Sequence, residues 1–312
     1  MKKPTKTCTL IYNPNSGRTL KPRFLKHYKK ILLRYGYSTK IIGTQYGGHA
    51  KEIVSHLDKV DLVISMGGDG TFNEIMSGNL ERRERLVLAH IPVGTTNDIG
   101  VMFGYGKDTK QNLVKLLDGV VKEMDIGVIN GRPFVYVAGF GKFLQISYET
   151  PRKLKKKLGH KAYLIEGIKD FLRPTKLYKL TYRVNGIEKT GYYSFMLISN
   201  ANRIAGINNF YKDIKLDDDK FEVLFCNFRK RTDIIKTLGL LAIADVSKLS
   251  GMEFYKTNKL DIEFDSYPKK AWCVDGERLN QAVLKYEIRN ERKVKIMMPK
   301  KNVEKNFVNK SM

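Results

Sequence analysis

Residues 63–74, VISMGGDGTFNE, run an apolar segment straight into two glycines, an aspartate, a third glycine and a threonine. A solvent turn accounts for Gly-Asp-Gly, but not for the helix-like TFNE that follows. YNPNSGR (residues 12–18) and PVGTTND (92–98) repeat the theme, each an apolar run ending in small residues with side-chain amides or hydroxyls. Glycines at such places permit positive φ, which lets successive N–H groups converge on an anion, and a helix starting just beyond adds its dipole. Phosphate binding is the chemistry these residues suit. The chain has no GxxxxGK[ST] and no GxGxxG, so the common phosphate loops are absent.

Carboxylates supply the second kind of chemistry. Asp69 inside a phosphate nest calls for a cation between, and Asp98 and Asp125 read as further acids at element ends. Together the three could hold Mg²⁺ directly or through waters, although each alone also reads as a cap or turn residue. WCVDGERLN sets Asp275 and Glu277 either side of Gly276. On a strand they would face the same way and suit a general base, while Asp-Gly is equally a hairpin turn. IKLDDDKFEV gathers Asp217, Asp218 and Asp219 into a loop that could bind a hard cation or simply face solvent.

The elements that must position these residues follow from periodicity. TLIYNP, YSTKIIGT, DLVISMGG and LVLAHIPVG read as strands. RFLKHYKKILLRYG, AKEIVSHLDK, TFNEIMSGNL and part of KDTKQNLVKLLDGVVKEM read as helices. Alternation of this length predicts an α/β, doubly wound parallel sheet, with ligands at the carboxyl ends of its strands. After Asp125 the chain turns β-rich, with turns such as Asn185-Gly186, which predicts an antiparallel β-sandwich. The expected domains are 1–127 and 128–294, with the tail 295–312 free to return to the first.

Lys and Arg number 57 against 32 Asp and Glu, a net charge of +25, so the surface favours anions: nucleic acid, anionic lipid or phosphorylated small molecules. No RNP or zinc module is present, which leaves a nucleic-acid role without a recognition motif and no nucleic-acid partner expected. Three scattered cysteines fit a reducing cytosol rather than a disulfide or zinc framework. No run reaches the roughly 20 apolar residues of a membrane span, and a soluble chain is expected.

YNPNSG, GGH (47–49), GGDGTFNE, PVGTTND, MDIGVING and VDGE occur in this order. Together they resemble the diacylglycerol kinase catalytic-domain family, the bacterial lipid kinases related to sphingosine and ceramide kinases. GGDGT alone is shared with NAD kinases; PVGTTND and VDGE are more specific. The resemblance implies an ATP-binding α/β domain and a lipid-binding β-sandwich with the active site in the cleft between them. It implies that Asn13, Asn15, Ser16 and Gly17 lie on the nucleotide, with Thr44, Gly94, Thr95 and Asn97 contacting ATP. Gly67, Gly68, Asp69, Gly70, Thr71, Asn73 and Glu74 would cradle its phosphates. Asp69, Asp98 and Asp125 match a magnesium and water network, and Asp275 and Glu277 match the catalytic acids, with Glu277 favoured as base. IKLDDDKFEV is similar to a structural magnesium loop, with Asp218 as side-chain ligand and carbonyls from Lys215 and Lys220. It departs from the family's pattern where Asp219 replaces a glycine at an expected positive-φ turn and Glu222 replaces an aspartate.

The resulting expectation is an ATP- and Mg²⁺-dependent lipid kinase acting on diacylglycerol or another hydroxyl-bearing lipid. A kinase of a soluble nucleotide such as NAD is the alternative. The cytoplasmic protein would reach an anionic membrane peripherally through the basic segment 152–173, which includes Lys155, Lys156 and Lys157. Phe140, Phe143 and Tyr163 are candidate lipid-pocket residues, and the oligomeric state admits a homodimer.

Overall fold

The structure is a computed structural model that describes residues 4–16, 22–94, 97–142, 144, 170, 173–201, 203–204, 207–208, 211, 214–240 and 251–308. Gly17, Thr95, Phe143, Tyr163 and nearly all of segment 152–173 lie outside these. The chain divides into two units, Met1–Met124 with Lys293–Met312, and Asp125–Arg292.

The first unit alternates strand and helix: β1 (Lys6–Tyr12), α1 (Pro22–Arg34), β2 (Tyr37–Gly43), α2 (His49–Ser55), β3 (Leu62–Gly67), α3 (Asp69–Leu80), β4 (Leu88–Pro92), α4 (Asp98–Met102) and α5 (Thr109–Leu117). Its strands lie in the order β2-β1-β3-β4, every neighbouring pair parallel. Strand β3 is buried along its whole length, as a continuous apolar run within a parallel sheet must be. Gly36, at φ 83, ends α1 in the left-handed conformation that stops helices. Asp108 starts α5 by accepting the Lys110 and Gln111 N–H groups. Gly78 lets α3 lie close on α2, since a Cβ there would stand 2.3 Å from the Lys51 carbonyl oxygen.

Strand β5 (Val120–Ile129) leads into the second unit. There follow β6 (Arg132–Phe134), β7 (Val137–Gly141), β8 (Tyr178–Val184), β9 (Ile187–Tyr193), β10 (Phe195–Ser199), β11 (Arg203–Ile204), β12 (Ile207–Asn208), β13 (Phe221–Cys226), α6 (Arg231–Leu240), β14 (Met252–Thr257), β15 (Lys259–Phe264), β16 (Cys273–Val274), β17 (Glu277–Arg278) and β18 (Lys285–Met298). One antiparallel sheet runs β18-β15-β8-β9 and a second runs β14-β13-β10-β7-β16-β17. Strand β8 alternates buried and exposed residues, with one face to the core. The two sheets close a shared apolar core in which Tyr182 of one stacks on Phe225 of the other, centroids 4.2 Å apart. This is the antiparallel sandwich expected from the turn-punctuated β-rich half.

Strand β18 belongs to both units along its length. Lys285–Arg289 pair with β15, whereas Ile296 pairs in parallel with Leu88 of β4. Beyond it, a 3-10 turn (Lys300–Asn302) and α7 (Val303–Asn306) complete the first unit. The Asn306 amide there donates to the Met102 carbonyl, and Phe307 is buried. Among the described residues no helix is long and apolar enough to cross a membrane.

Candidate active site

In the first unit the loops after β1, β2, β3 and β4 are joined by hydrogen bonds. The Asn13 side chain accepts from the Asn15 N–H and donates to the Thr71 hydroxyl of α3, at 2.8 and 3.4 Å. The Ser16 N–H returns to the Asn13 carbonyl, and buried Thr44 donates its N–H to the Tyr12 carbonyl. After β3 the Val93 N–H donates to the Gly67 carbonyl at 2.8 Å, which brings the two glycine turns together.

The glycines work differently from the expectation. Gly68 sits at φ −85, and neither Gly67 nor Gly94 adopts positive φ. Their role is close approach: a Cβ on Gly94 would lie 2.7 Å from the Gly68 Cα, and one on Gly67 would lie 2.5 Å from the Thr71 side chain. Helix α3 also starts earlier than TFNE suggests, at Asp69, so Asp69, Gly70 and Thr71 form its first turn. Its N-cap Gly68 offers no capping side chain, leaving the first-turn N–H groups without a side-chain cap.

Asp69 accepts from the N–H groups of Asp98 and Ile99 at 3.1 and 3.3 Å, placing its carboxylate at the start of α4. Asp98 is almost fully buried in the first turn of that helix. Asn97 precedes it at φ 55 and donates through its amide to the Gly94 carbonyl at 2.9 Å. Asn73 is buried within α3, where its carbonyl accepts from Ser77. Glu74 is committed elsewhere: its two carboxylate oxygens accept from the Gly48 and Ala50 N–H groups, capping α2. The GGH turn is thus held by α3, and a role for Glu74 on phosphates would compete with that cap.

Asp125 lies inside β5 rather than at an element end, and it opens the second unit. Its carboxylate accepts from the Asp219 N–H at 2.6 Å and its carbonyl accepts from the Asn200 amide. Among the described residues no three His, Cys, Asp or Glu side chains gather into a metal-sized group. Asp69 and Asp98 adjoin at α4, whereas Asp125 anchors the loop before β13.

That loop contains the DDD run. Asp219 stands at φ 62, the left-handed conformation in which a glycine is cheapest and aspartate is better tolerated than most. Its carboxylate is held by the amides of Asn258 and Asn290. Asp218 accepts from the Lys220 N–H, and burial raises its pKa. Glu222, 1% exposed, has its pKa pushed by burial up to about 7, with the Lys256 ammonium at 3.4 Å and no hydrogen bond to Oε2. Desolvated carboxyls and an unpartnered acid oxygen are a donor set that suits a hard cation.

Asp275 and Glu277 do not share a strand face. Asp275 (φ 47) and Gly276 (φ 86) form the two-residue turn between β16 and β17, both left-handed, as a tight hairpin of this hand requires. The buried Asp275 carboxylate accepts from three successive backbone N–H groups, Val135 at 2.7 Å, Tyr136 at 3.1 Å and Val137 at 3.0 Å. Glu277, one step past the turn, is exposed and meets Arg132 at 3.1 Å. Arg132 carries little signal in the sequence beyond its place just after the Asn130-Gly131 turn.

The profile of the diacylglycerol kinase catalytic domain matches residues 7–129. The diacylglycerol kinase of Bacillus subtilis (strain 168) is 30% identical over 308 residues, 96% of this chain and 98% of that one. That of Staphylococcus aureus (strain Newman) is 30% identical over 307 residues, 97% and 96% of the two chains. A crystal structure of a diacylglycerol kinase from Bacillus anthracis str. Sterne shares the fold, with a TM-score of 0.71 at 20% identity over 94% of this chain and 97% of that one. The family profile and these relatives make the protein a lipid kinase. This chain belongs to the diacylglycerol kinase family.

Proposed function

We propose that the protein phosphorylates the free hydroxyl of diacylglycerol, with ATP as donor and Mg²⁺ as cofactor, giving phosphatidic acid and ADP. The observation that carries the nucleotide half is α3, whose uncapped first turn follows β3 beside the Gly68–Gly94 contact. Its N–H groups and dipole suit the ATP phosphates. Asn13, Asn15, Ser16, Thr44 and Asn97, at the strand ends, are further nucleotide contacts in this reading, as are Gly17 and Thr95, which lie outside the described residues, and residues 1–127 are its nucleotide domain.

In the lipid-binding domain of this reading, residues 128–294, the roles of the two acids separate. Asp275 is spent on three N–H groups and positions the hairpin, while Glu277 keeps an exposed carboxylate beside Arg132. Glu277 takes the proton as the lipid oxygen bonds to the γ-phosphorus; the bond from that phosphorus to the β,γ-bridging oxygen breaks, and ADP leaves. Mg²⁺, when bound, neutralises charge on the phosphoryl oxygens. Asp69, with Asp98, would hold it in the first unit. In the loop before β13, the Asp218 side chain and the Lys215 and Lys220 carbonyls would hold a structural ion, whose positive charge would also suit Glu222.

The excess of cations, with the segment 152–173, supports peripheral docking of a cytoplasmic enzyme on an anionic membrane. The deciding experiment is transfer of labelled phosphate from ATP and Mg²⁺ to a lipid panel in anionic mixed micelles, with NAD as soluble control and Asp69→Ala as blank. Label in diacylglycerol that disappears in the variant supports the reading. Label in another lipid corrects the substrate, and label only in NAD replaces the class of acceptor.

A further inference from the structure

The second unit contains a cavity of about 160 Å³, well beyond the roughly 10–15 Å³ that one water needs. Among the described residues Lys142, Arg173, Lys176 and Lys270 line it together with the carboxylate of Asp170. Lys142 is built into the wall. It is 4% exposed, and its ammonium donates to the carbonyls of Asp170 and Arg173 at 2.7 and 2.9 Å, which fixes the chain that returns toward β8. Tyr178, the first residue of β8, lines the cavity as well. Its ring meets Phe140 edge-on at 4.8 Å and lies under the Lys176 ammonium at 5.1 Å. The tyrosine is 7% exposed and its hydroxyl, although buried, has no hydrogen-bond partner.

A buried hydroxyl donor and clustered ammonium and guanidinium groups ask for one kind of occupant: a compact anion with several acceptor oxygens. We propose that this cavity is a phosphate-recognition site, with Tyr178 and the surrounding cations donating to the non-bridging oxygens of a phosphate group. None of its lining residues belongs to the catalytic arrangement above, and the inference does not depend on the identity of the phosphorylated lipid. The local electrostatics agree. Burial lowers the Lys142 pKa; Asp170 acts against that, while Lys270, Arg231 and Arg173 each lower it further. A bound dianion would relieve that repulsion.

The test uses the full chain without ATP, so the kinase reading can fail without touching it. Calorimetric titration and thermal unfolding would be run with inorganic phosphate, water-soluble dihexanoyl phosphatidic acid, and phosphatidylcholine vesicles doped with phosphatidic acid. Chloride at matched ionic strength is the control. Tyr178→Phe removes only an unpartnered hydroxyl, so its melting temperature without phosphate should equal or exceed that of the parent. Its phosphate affinity should fall about tenfold or more, as should that of Lys270→Gln. Lys59→Gln, at an exposed position, should bind as the parent does. Saturation by inorganic phosphate would mark the site as one for free phosphate; binding only to soluble phosphatidic acid and vesicles would mark it as one for a lipid headgroup, and both support it. No response beyond chloride, or parent-like binding by Tyr178→Phe, overturns it.

Discussion

The turns of the two units achieve tight geometry by opposite means. In the first, Gly67, Gly68 and Gly94 hold ordinary backbone conformations, and what matters is the missing side chain: two loops meet where no Cβ fits. In the second, aspartates occupy left-handed positions where glycine would be easiest. Asp219 and Asp275 then use their carboxylates to bind neighbouring backbone or amides. A loop proposed to admit the phosphates of ATP gains from emptiness. A loop that must hold its own shape gains from an acid that gathers otherwise unpaired N–H groups. Removing or adding single atoms on either side should therefore give unlike results.

The largest effect should come from the acid left outside this scheme. Glu277→Gln should lower kcat by about 10²–10⁴-fold, the range of a general base, with an unchanged melting temperature. Asp275→Ala should do the reverse. It strands three N–H groups and puts alanine at φ 47, costing about 3–5 kcal/mol of stability in denaturant unfolding, while activity per folded molecule falls less than for Glu277→Gln.

The two units should also respond to pH with opposite sign. His90 of β4 is fully buried and its pKa is lowered by burial to about 3, so below an ordinary 6.5 the unfolded chain binds a proton that the native chain refuses. Stability of the first unit is then lost as pH falls from 6.5 toward 3. Glu222, at about 7 against an ordinary 4.5, keeps a proton that the unfolded chain releases, so the second unit loses stability as pH rises from 4.5 to 7. Each contribution is on the order of 3–5 kcal/mol at the far end of its window. Hydrogen exchange with chelator present, comparing His90→Leu and Glu222→Gln with the parent, should show each slope flatten in its own unit.

Two smaller changes sharpen the contrast. Gly94→Ala, meeting the Gly68 Cα at 2.7 Å and the Asn97 side chain at 2.8 Å, should cost about 1–3 kcal/mol and weaken ATP binding measured by calorimetry. Asp219→Gly relaxes a left-handed residue but gives up the Asn258 and Asn290 contacts, so the melting temperature should move little, within about 0.5 kcal/mol. A large loss would mean that the carboxylate, rather than the turn, organises the loop.

Much of this was legible in the sequence. Alternating strand and helix patterns gave the parallel sheet, turn-punctuated runs gave the sandwich, and the non-glycine at Asp219 was expected at positive φ, where the structure has it at 62°. What escaped depends on contacts between distant residues. Nothing near VDGE announces that Asp275 will hold residues 135–137, nor does GGDGT reveal that its glycines avoid Thr71 and Gly94 rather than adopting positive φ. The buried Tyr178 hydroxyl and the Lys142 staple are equally silent in sequence, because alternation reports that a side chain points inward and not what it meets there.

The long strand β18 has a consequence for biosynthesis. Its final residues and Phe307 belong to the unit that begins the chain, while residues 125–292 form a unit of unbroken sequence. On the ribosome the nascent second unit is made entire before the first has its last parallel strand. The half of the protein synthesised earliest therefore waits longest, with one side of β4 unpaired, until translation has passed Ile296.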